Sequence, residues 1–273
     1  MSFEQATENI DYLYLRLDTR WNSDNLIKRN MHRCKFEKLL AFLQPGMSLL
    51  DVCRGGSVDG VLGVLAAKKG VKVTICNTKP EYLEVIKKFA DANNVSLANL
   101  VVCSPDKLPF NDSQFDCVSC IHVLEHVENY EKALAELYRV TQKYALIAMP
   151  TCLNLSVFAR IGGADYYNFT LKSIPCLLFG FLKVMVSLLL FRQGVYENNE
   201  EKGKITKHFQ RFPWVVKHLL EEKNFTIVQY GADGFCFPWI SSLIAVQRRL
   251  DKYAYLPIVR NFGFGTHFYC QKN

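Results

Sequence analysis

The sequence lacks internal repeats and low-complexity tracts, which excludes a solenoid or a mainly disordered chain. It also lacks concentrated charge: 33 Lys and Arg stand against 26 Asp and Glu, a formal net charge of +7. This diffuse excess suits an anionic ligand or a membrane surface, and it is not the basic patch of a dedicated nucleic-acid-binding protein. With 49% hydrophobic residues, the 273-residue chain can bury a substantial core. We therefore expect a folded protein with no nucleic-acid partner.

A disulfide framework and a signal peptide are also missing. The ten cysteines have no short regular spacing, and the opening MSFEQATENI has neither a basic nor an apolar region, so we expect free thiols and a cytoplasmic location. Cys117 and Cys120 form a C-x-x-C, but in a strand their side chains point to opposite faces and cannot form a redox pair. Because free cysteine is usually a small buried hydrophobe, we expect no metal cluster at the four cysteines near apparent strand ends. These four are Cys53, Cys76, Cys103 and Cys120.

Short apolar runs alternate with helical stretches in the first half of the chain. After a helical pattern over residues 24–43, the runs are SLLDVC, VKVTIC, NLVVC, FDCVSCI and YALIAMP. This alternation predicts a Rossmann-like, doubly wound α/β fold with a parallel sheet. The later runs FTIVQY and THFYCQK predict an antiparallel hairpin at the edge of a seven-stranded sheet. Ligands of such folds bind at the carboxyl ends of the strands, so candidate site residues should follow them.

One segment, SIPCLLFGFLKVMVSLLLF at residues 173–191, is much more apolar than the rest. Its length would allow a bilayer span, but Lys183 near its middle disfavours one, and Pro175 and Gly180 weaken the helix. There are two alternatives to a membrane span. The segment could form a buried helix that covers the site, or it could form a surface that contacts lipid or a hydrophobic substrate. The polar ENNEEKGK that follows, residues 197–204, is typical of a solvated loop.

The most specific pattern is DKLPFNDSQFDCVSCIHVLEHVENYEKALAELYRV. A Leu-Pro-Phe turn precedes Phe-Asp at the start of a strand, and His-Val-Leu-Glu-His closes the strand. The pattern resembles the fourth-strand region of class I S-adenosylmethionine-dependent methyltransferases, especially the branch that acts on small molecules and lipids. HFQRFPWVVKHLLEEKNF is similar to that family's helix before the sixth strand. The resemblance implies S-adenosylmethionine as the cofactor and a small hydrophobic or lipid-like acceptor.

The resemblance also implies where the cofactor is held. In LLDVCRGGSVDG, Asp51 matches the family's acidic residue, while Cys53, Gly55 and Ser57 stand at its three alternate glycines. Glycine serves there because it permits positive φ and lets the backbone approach the ligand closely. Cys53 adds a side chain that faces this approach, whereas Ser57 can act as a helix N-cap.

Two further acids of the family pattern are replaced. Asn77 stands where a carboxylate grips the ribose, and Ser104 stands where an acid accepts from the adenine amine, with Asp106 two residues on. Losing charge assistance forfeits about 1 kcal/mol at each contact, which weakens cofactor binding by about 10- to 100-fold. The alternative is therefore a catalytically inactive protein of this fold that binds a partner, a membrane or another nucleotide. The candidate cofactor-binding residues are Asp51, Cys53, Gly55, Asn77, Thr78, Ser104, Asp106, Leu108 and His122.

The histidines raise a second chemistry. HVLEH, residues 122–126, matches the H-x-x-E-H spacing of some zinc proteases, which need both histidines on one helix. Because His122 directly follows a strand, we expect no metal there. His126 and His208 are the candidate catalytic residues: His126 should line the cleft, and His208, before a helix, either turns into the cleft or stays exposed. A general base is needed only if the acceptor holds its proton.

The chain is expected to form one methyltransferase-like domain, residues 1–273, with four parts. We predict an N-terminal helical segment over 1–45, a cofactor-binding core over 46–150, an apolar cap insertion over 151–207, and a C-terminal helix with edge strands over 208–273. In the last part, RFPWVVKHLLEEKNF predicts an amphipathic helix and FPWISSLIAVQRRLDKY a further one.

Overall fold

The computed structural model describes residues 23–54, 60–201 and 204–273. Helices and strands alternate in the first half: α1 (Leu26–Ala41), β1 (Ser48–Val52), α2 (Val61–Lys68), β2 (Lys72–Asn77), α3 (Pro80–Ala92), β3 (Asn99–Val102), β4 (Phe115–Ile121), α4 (Tyr130–Val140) and β5 (Thr141–Pro150). The second half contains α5 (Leu155–Ile161), α6 (Ser173–Leu189), β6 (Gly194–Glu201), β7 (Lys204–Arg211), α7 (Pro213–Glu222), β8 (Phe225–Ala232), α8 (Ile244–Asp251) and β9 (Gly265–Lys272).

Seven strands form one sheet in the order β3-β2-β1-β4-β5-β9-β8. The strands β1 to β5 are parallel, and β9 pairs antiparallel with both β5 and β8. The predicted Rossmann-like fold with antiparallel edge strands is therefore confirmed. Because the connections leave β1 in opposite directions toward β2 and β4, a crevice opens at the carboxyl ends of these strands.

The sheet has a hydrophobic core on each face, as the period of its strands requires. In β1, Leu49 belongs to the core beneath α1, α2 and α3, and Leu50 to the core beneath α4 and α7. Cys117 and Cys120 likewise lie in opposite cores, which confirms that their side chains point to opposite faces of the sheet. Burial raises the pKa of both thiols. All ten cysteines are free.

The prediction of a solvated loop over residues 197–204 is wrong. Its first residues belong to β6, which pairs antiparallel with β7 as a separate two-stranded sheet. Glu197 is only 1% exposed, because its carboxylate binds the Arg160 guanidinium at 2.8 Å and accepts from the Gln210 amide at 2.8 Å. The polar composition of this segment therefore led to the wrong prediction of a loop. The segment forms a strand because the buried charge of Glu197 is paired with Arg160 of α5. The insertion is consequently not wholly helical.

Other boundaries differ less from the sequence prediction. The helix expected in FPWISSLIAVQRRLDKY begins later, as a 3-10 turn over Ser241–Leu243 that leads into α8. The four-part division of the chain stays a prediction.

The apolar segment forms neither a membrane span nor a buried helix. Within the ranges that the structure describes, no helix is long and apolar enough to cross a membrane. Helix α6 buries only four of its residues, so the expectation of a buried helix is wrong.

Candidate functional site

Asp51, in β1, lies at the floor of the crevice. Its side chain is almost fully buried and both carboxylate oxygens have partners: Oδ2 accepts from the Gly63 backbone N–H at 3.0 Å, and Oδ1 accepts from the Ser119 hydroxyl at 2.6 Å. A Cβ at Gly63 would approach Ile75 Cδ1 to 2.7 Å, so glycine is what lets α2 come this close. The carboxylate thus ties the first turn of α2 to β1 and β4.

Cys53 continues β1 beyond its last paired residue. Its backbone N–H donates to the Cys76 carbonyl at 2.9 Å, and its side chain is 3% exposed within the core beneath α1 to α3. The expectation that this side chain faces the ligand approach is therefore wrong, because the strand alternation turns it into the core instead. Its φ is not positive either, so it tolerates a side chain without strain. Gly55 and Ser57 lie outside the described residues.

Asn77 and Thr78 occupy the end of β2. Asn77 is fully buried, and its carbonyl accepts from the Cys103 N–H at 2.9 Å, which joins the ends of β2 and β3. The Thr78 hydroxyl donates to the Arg54 carbonyl at 2.9 Å, which fastens the chain after β1 to the chain after β2. These contacts align the ends of three neighbouring strands along one edge.

A tight turn follows β3 and carries the next candidates. The Ser104 hydroxyl donates to the Asp106 carboxylate, so the two side chains lie together. Leu108 is buried, and its N–H donates to the Glu136 carboxylate at 2.8 Å. The Arg139 guanidinium donates to the Leu108 carbonyl at 2.9 Å, and it lowers the pKa of Glu136. The Leu-Pro-Phe turn is thus held from α4, a support that the sequence pattern did not reveal.

His122 directly follows β4, as predicted, with φ at 55°. That left-handed conformation is uncommon for a residue with a side chain, and such strain concentrates at functional sites. Its Nδ1 lies 3.4 Å from Glu125 Oε1 and its Nε2 lies 3.3 Å from Asp233 Oδ2. Both carboxylates are only 3% exposed. The imidazole can donate to both only when each nitrogen carries a proton.

Asp233 extends this network away from the crevice. Its Oδ1 lies 3.1 Å from His267 Nδ1, and His267 Nε2 lies 3.1 Å from the Tyr255 hydroxyl. Although burial opposes ionisation, the hydrogen bonds with His122 and His267 hold the pKa of Asp233 far below its usual range. A Cβ at Gly265 would lie 2.8 Å from Asp233 Oδ2, so glycine is required beside the carboxylate.

The two candidate catalytic histidines meet beside the same loop. The rings of His126 and His208 contact edge to face, with centroids 4.2 Å apart. His208 lies in β7, which directly precedes α7 as predicted, and it is 7% exposed, so the exposed alternative is wrong and the inward one holds. His126 Nε2 lies 3.9 Å from Glu125 Oε1. Although burial raises the pKa of Glu125, the hydrogen bond with His122 and the charge of His126 bring it below its usual range.

Arg211 adds a cation to this cluster. Its guanidinium lies 4.8 Å from the ring centroid of Tyr130 and 5.0 Å from that of Phe209, and it is 8% exposed. Burial lowers its pKa, and the charge of Glu125 opposes that shift. The structure therefore places Arg211 and Asp233 beside the histidines His122, His126 and His208. The sequence patterns did not predict these two charged residues. Among the residues the structure describes, no group of three or more His, Cys, Asp or Glu is placed to hold a metal ion.

Comparisons with known proteins agree with this geometry. Residues 50–149 match the methyltransferase domain family. The ubiquinone/menaquinone biosynthesis C-methyltransferase of Zymomonas mobilis is 29% identical over 51% of this chain and 58% of its own length. That of Bartonella bacilliformis is 26% identical over 50% of this chain and 51% of its own. The chain thus spans just over half the length of these two relatives. That of Rickettsia felis is 31% identical over 67% of this chain and 69% of its own.

Solved structures share the fold at low identity. The PH0226 protein of Pyrococcus horikoshii has a TM-score of 0.57 at 13% identity and covers 96% of this chain and 98% of its own. The [4+2]-cyclase SpnF has a TM-score of 0.52 at 13% identity and covers 88% of this chain and 80% of its own. The chain belongs to the class I S-adenosylmethionine-dependent methyltransferases, and S-adenosylmethionine is its cofactor.

Proposed function

We propose that the protein transfers a methyl group from S-adenosylmethionine to a carbon of a small hydrophobic, quinol-like acceptor. The observation that carries the proposal is that one edge of the sheet bears two adjoining sets of polar side chains. One set follows β1, β2 and β3, and the other surrounds the loop after β4. The curated relatives, named as quinone-biosynthesis C-methyltransferases, support this acceptor class. A lipid-like acceptor also implies peripheral membrane contact through residues 173–191.

The first set fits the polar groups of the cofactor. We assign the Asp51 region to the amino-acid end, Asn77 with Thr78 to the ribose, and Ser104 with Asp106 to the adenine amine, in the order of the strand ends. Leu108 supplies apolar contact beside them. When bound, S-adenosylmethionine supplies an electrophilic methyl group; the chain's part is to orient it. The neutral Asn77 amide binds a ribose hydroxyl more weakly than a carboxylate would.

The second set provides proton transfer and electrostatic support. A phenolic carbon becomes nucleophilic when the neighbouring hydroxyl loses its proton, so C-methylation benefits from a base. His126 is 22% exposed and contacts His208, and we assign this pair as that base. The Arg211 guanidinium stabilises the resulting oxyanion. His122, clamped between Glu125 and Asp233, fixes the loop that adjoins the cofactor.

A methyl-transfer assay tests the proposal. Purified protein receives S-adenosylmethionine with a radioactive methyl group and either a hydroquinone bearing a short alkyl chain or a polar catechol amine. We expect label on a ring carbon of the hydroquinone and none on the catechol amine. Transfer to the polar acceptor alone, or to an oxygen of the hydroquinone alone, would contradict the proposed acceptor and reaction.

A further inference from the structure

Helix α6 turns its large apolar side chains away from the protein. The residues it buries are Ser173, Gly180, Val184 and Ser187, three of them small. An ordinary surface helix of a globular protein has the reverse arrangement, with an apolar stripe inward and polar residues outward. The small inner face and large apolar outer face of α6 match helices that face lipid.

Glycines make the inner face a close contact with α5. A Cβ at Gly180 would lie 1.9 Å from the Phe158 carbonyl oxygen, and a Cβ at Gly162 would lie 1.8 Å from the Cys176 carbonyl oxygen. The Ser187 hydroxyl donates to the Gly194 carbonyl at 2.7 Å, which fixes the far end of the helix to β6. The orientation of α6 is therefore set along its whole length, and the outer face cannot rotate inward.

The outer face is apolar from end to end. Leu182 is 60% exposed and Leu189 is 75% exposed, and Leu171 and Phe191, which flank the helix, are both 96% exposed. Soluble monomers rarely expose contiguous apolar patches of more than a few hundred Å². A helix of this length spans about 26 Å along its axis, so the patch is large enough to require an occupant.

Charge around the outer face points to the nature of that occupant. From Tyr166 to Tyr196 the sequence contains no Asp or Glu. It contains three basic residues, all exposed: Lys172, Lys183 and Arg192. Lys172 and Arg192 bracket the helix, and the Lys183 ammonium donates to the Tyr196 carbonyl at 2.8 Å. Cations at the margins of an apolar face complement anionic lipid headgroups.

We propose that the outer face of α6 docks the protein onto an anionic bilayer, with the helix in the plane of the headgroups. The fixed inner face excludes a spanning orientation, because α5 and β6 cover that side along its length. A second copy of the chain fits less well, since a protein interface carries about one hydrogen bond per 100–200 Å², and the Leu, Val, Ile and Phe side chains of the outer face can form none. Docking requires neither cofactor nor acceptor and so goes beyond the proposed reaction.

Vesicle sedimentation of the full chain, without cofactor or acceptor, tests the docking. We expect at least tenfold more protein on vesicles of phosphatidylcholine with 30 mol% phosphatidylglycerol than on phosphatidylcholine alone. The double variant Leu182→Glu, Leu189→Glu should lose at least tenfold of this binding. Both side chains are exposed, so the substitutions remove no core packing.

The matched control is Val85→Glu, Val228→Glu, which places the same charges on exposed residues of α3 and β8 and should bind as the wild type does. Failure of the wild type to bind anionic vesicles, or equal binding by the α6 variant, would overturn the proposal. The proposal would also be overturned if light scattering showed a wild-type dimer that becomes monomeric in the α6 variant, and the wild type did not bind vesicles. Vesicle binding without methyl transfer would contradict the proposed reaction and leave the docking intact.

Discussion

The two halves of the sheet's carboxyl edge hold their polar groups in different ways. At β1 to β3, side chains close in sequence to their strands are fixed mainly by backbone contacts, such as Thr78 on the Arg54 carbonyl. After β4, His122 is held by two buried carboxylates, one of them more than 100 residues away. The first half, where we propose that the cofactor binds, carries few charges. The second half concentrates charge, which is where we assign the chemistry.

The largest expected effect separates the two halves. Replacing both His126 and His208 with Gln should lower kcat by about 100- to 1,000-fold, because the acceptor loses its general base. The affinity for S-adenosylmethionine, measured by calorimetry, should stay within about twofold, since an effect on the base is confined to the transition state. His218→Gln is the control, a histidine 72% exposed on α7. If cofactor affinity fell as far as kcat, the division into two halves would be wrong.

The next effect concerns the carboxylate at the centre of the second half. Asp233→Asn should lower the free energy of unfolding by about 2–4 kcal/mol, because it removes the charge that His122 and His267 share. Denaturant unfolding at neutral pH measures the change. Asp112→Asn is the control: this side chain is 78% exposed, so its pair with Arg139 contributes little. An equal effect of the two substitutions would contradict the role of burial.

Asp233 also predicts a pH dependence. Its folded-state pKa lies below the unfolded value of about 3.9, so the carboxylate stabilises the fold above about pH 4. That contribution is lost as the pH falls toward the folded-state pKa. Tm measured from pH 5 to pH 3 should therefore fall less steeply in Asp233→Asn than in the wild type. Parallel curves would show that the ionised Asp233 is not a source of acid-range stability.

A smaller effect on cofactor affinity is expected at Asn77, in the first half of the edge. Asn77→Asp should tighten S-adenosylmethionine binding by about fivefold to tenfold, because a charged acceptor restores about 1 kcal/mol at the ribose. Asn99→Asp, at the opposite end of the neighbouring strand, is the matched control and should leave the affinity unchanged. Unchanged affinity in Asn77→Asp would mean that the ribose is bound elsewhere.

The smallest effect tests the backbone ties of the first half. Thr78→Val removes the hydroxyl that donates to the Arg54 carbonyl while keeping the side-chain shape. We expect cofactor binding to weaken by about threefold, the loss of part of one neutral hydrogen bond. Calorimetry measures the change, and kcat at saturating cofactor should not move. A lower kcat with unchanged affinity would place Thr78 in the catalytic half instead.

Most of the fold could be predicted from the sequence, because strand alternation and turn residues are local signals. In the second half of the edge the sequence offered His122, His126 and His208 as candidates, but it did not reveal the partners that hold them. His267 reaches Asp233 because β9 lies between β5 and β8, a pairing of segments distant in sequence. The hairpin β6–β7 was missed because Glu197, which pattern reasoning treats as solvent-facing, is buried against Arg160. Contacts between segments that are distant in sequence thus determine the burial and pairing of side chains that local patterns cannot predict.

We propose that the carboxyl edge of β1 to β4 binds S-adenosylmethionine despite its reduced charge. Calorimetric titration of the wild-type chain with S-adenosylmethionine should then give one site per chain with a Kd in the micromolar range, and weaker binding in Asp51→Ala. If no heat of binding were measured at millimolar ligand, this edge would not be the cofactor site.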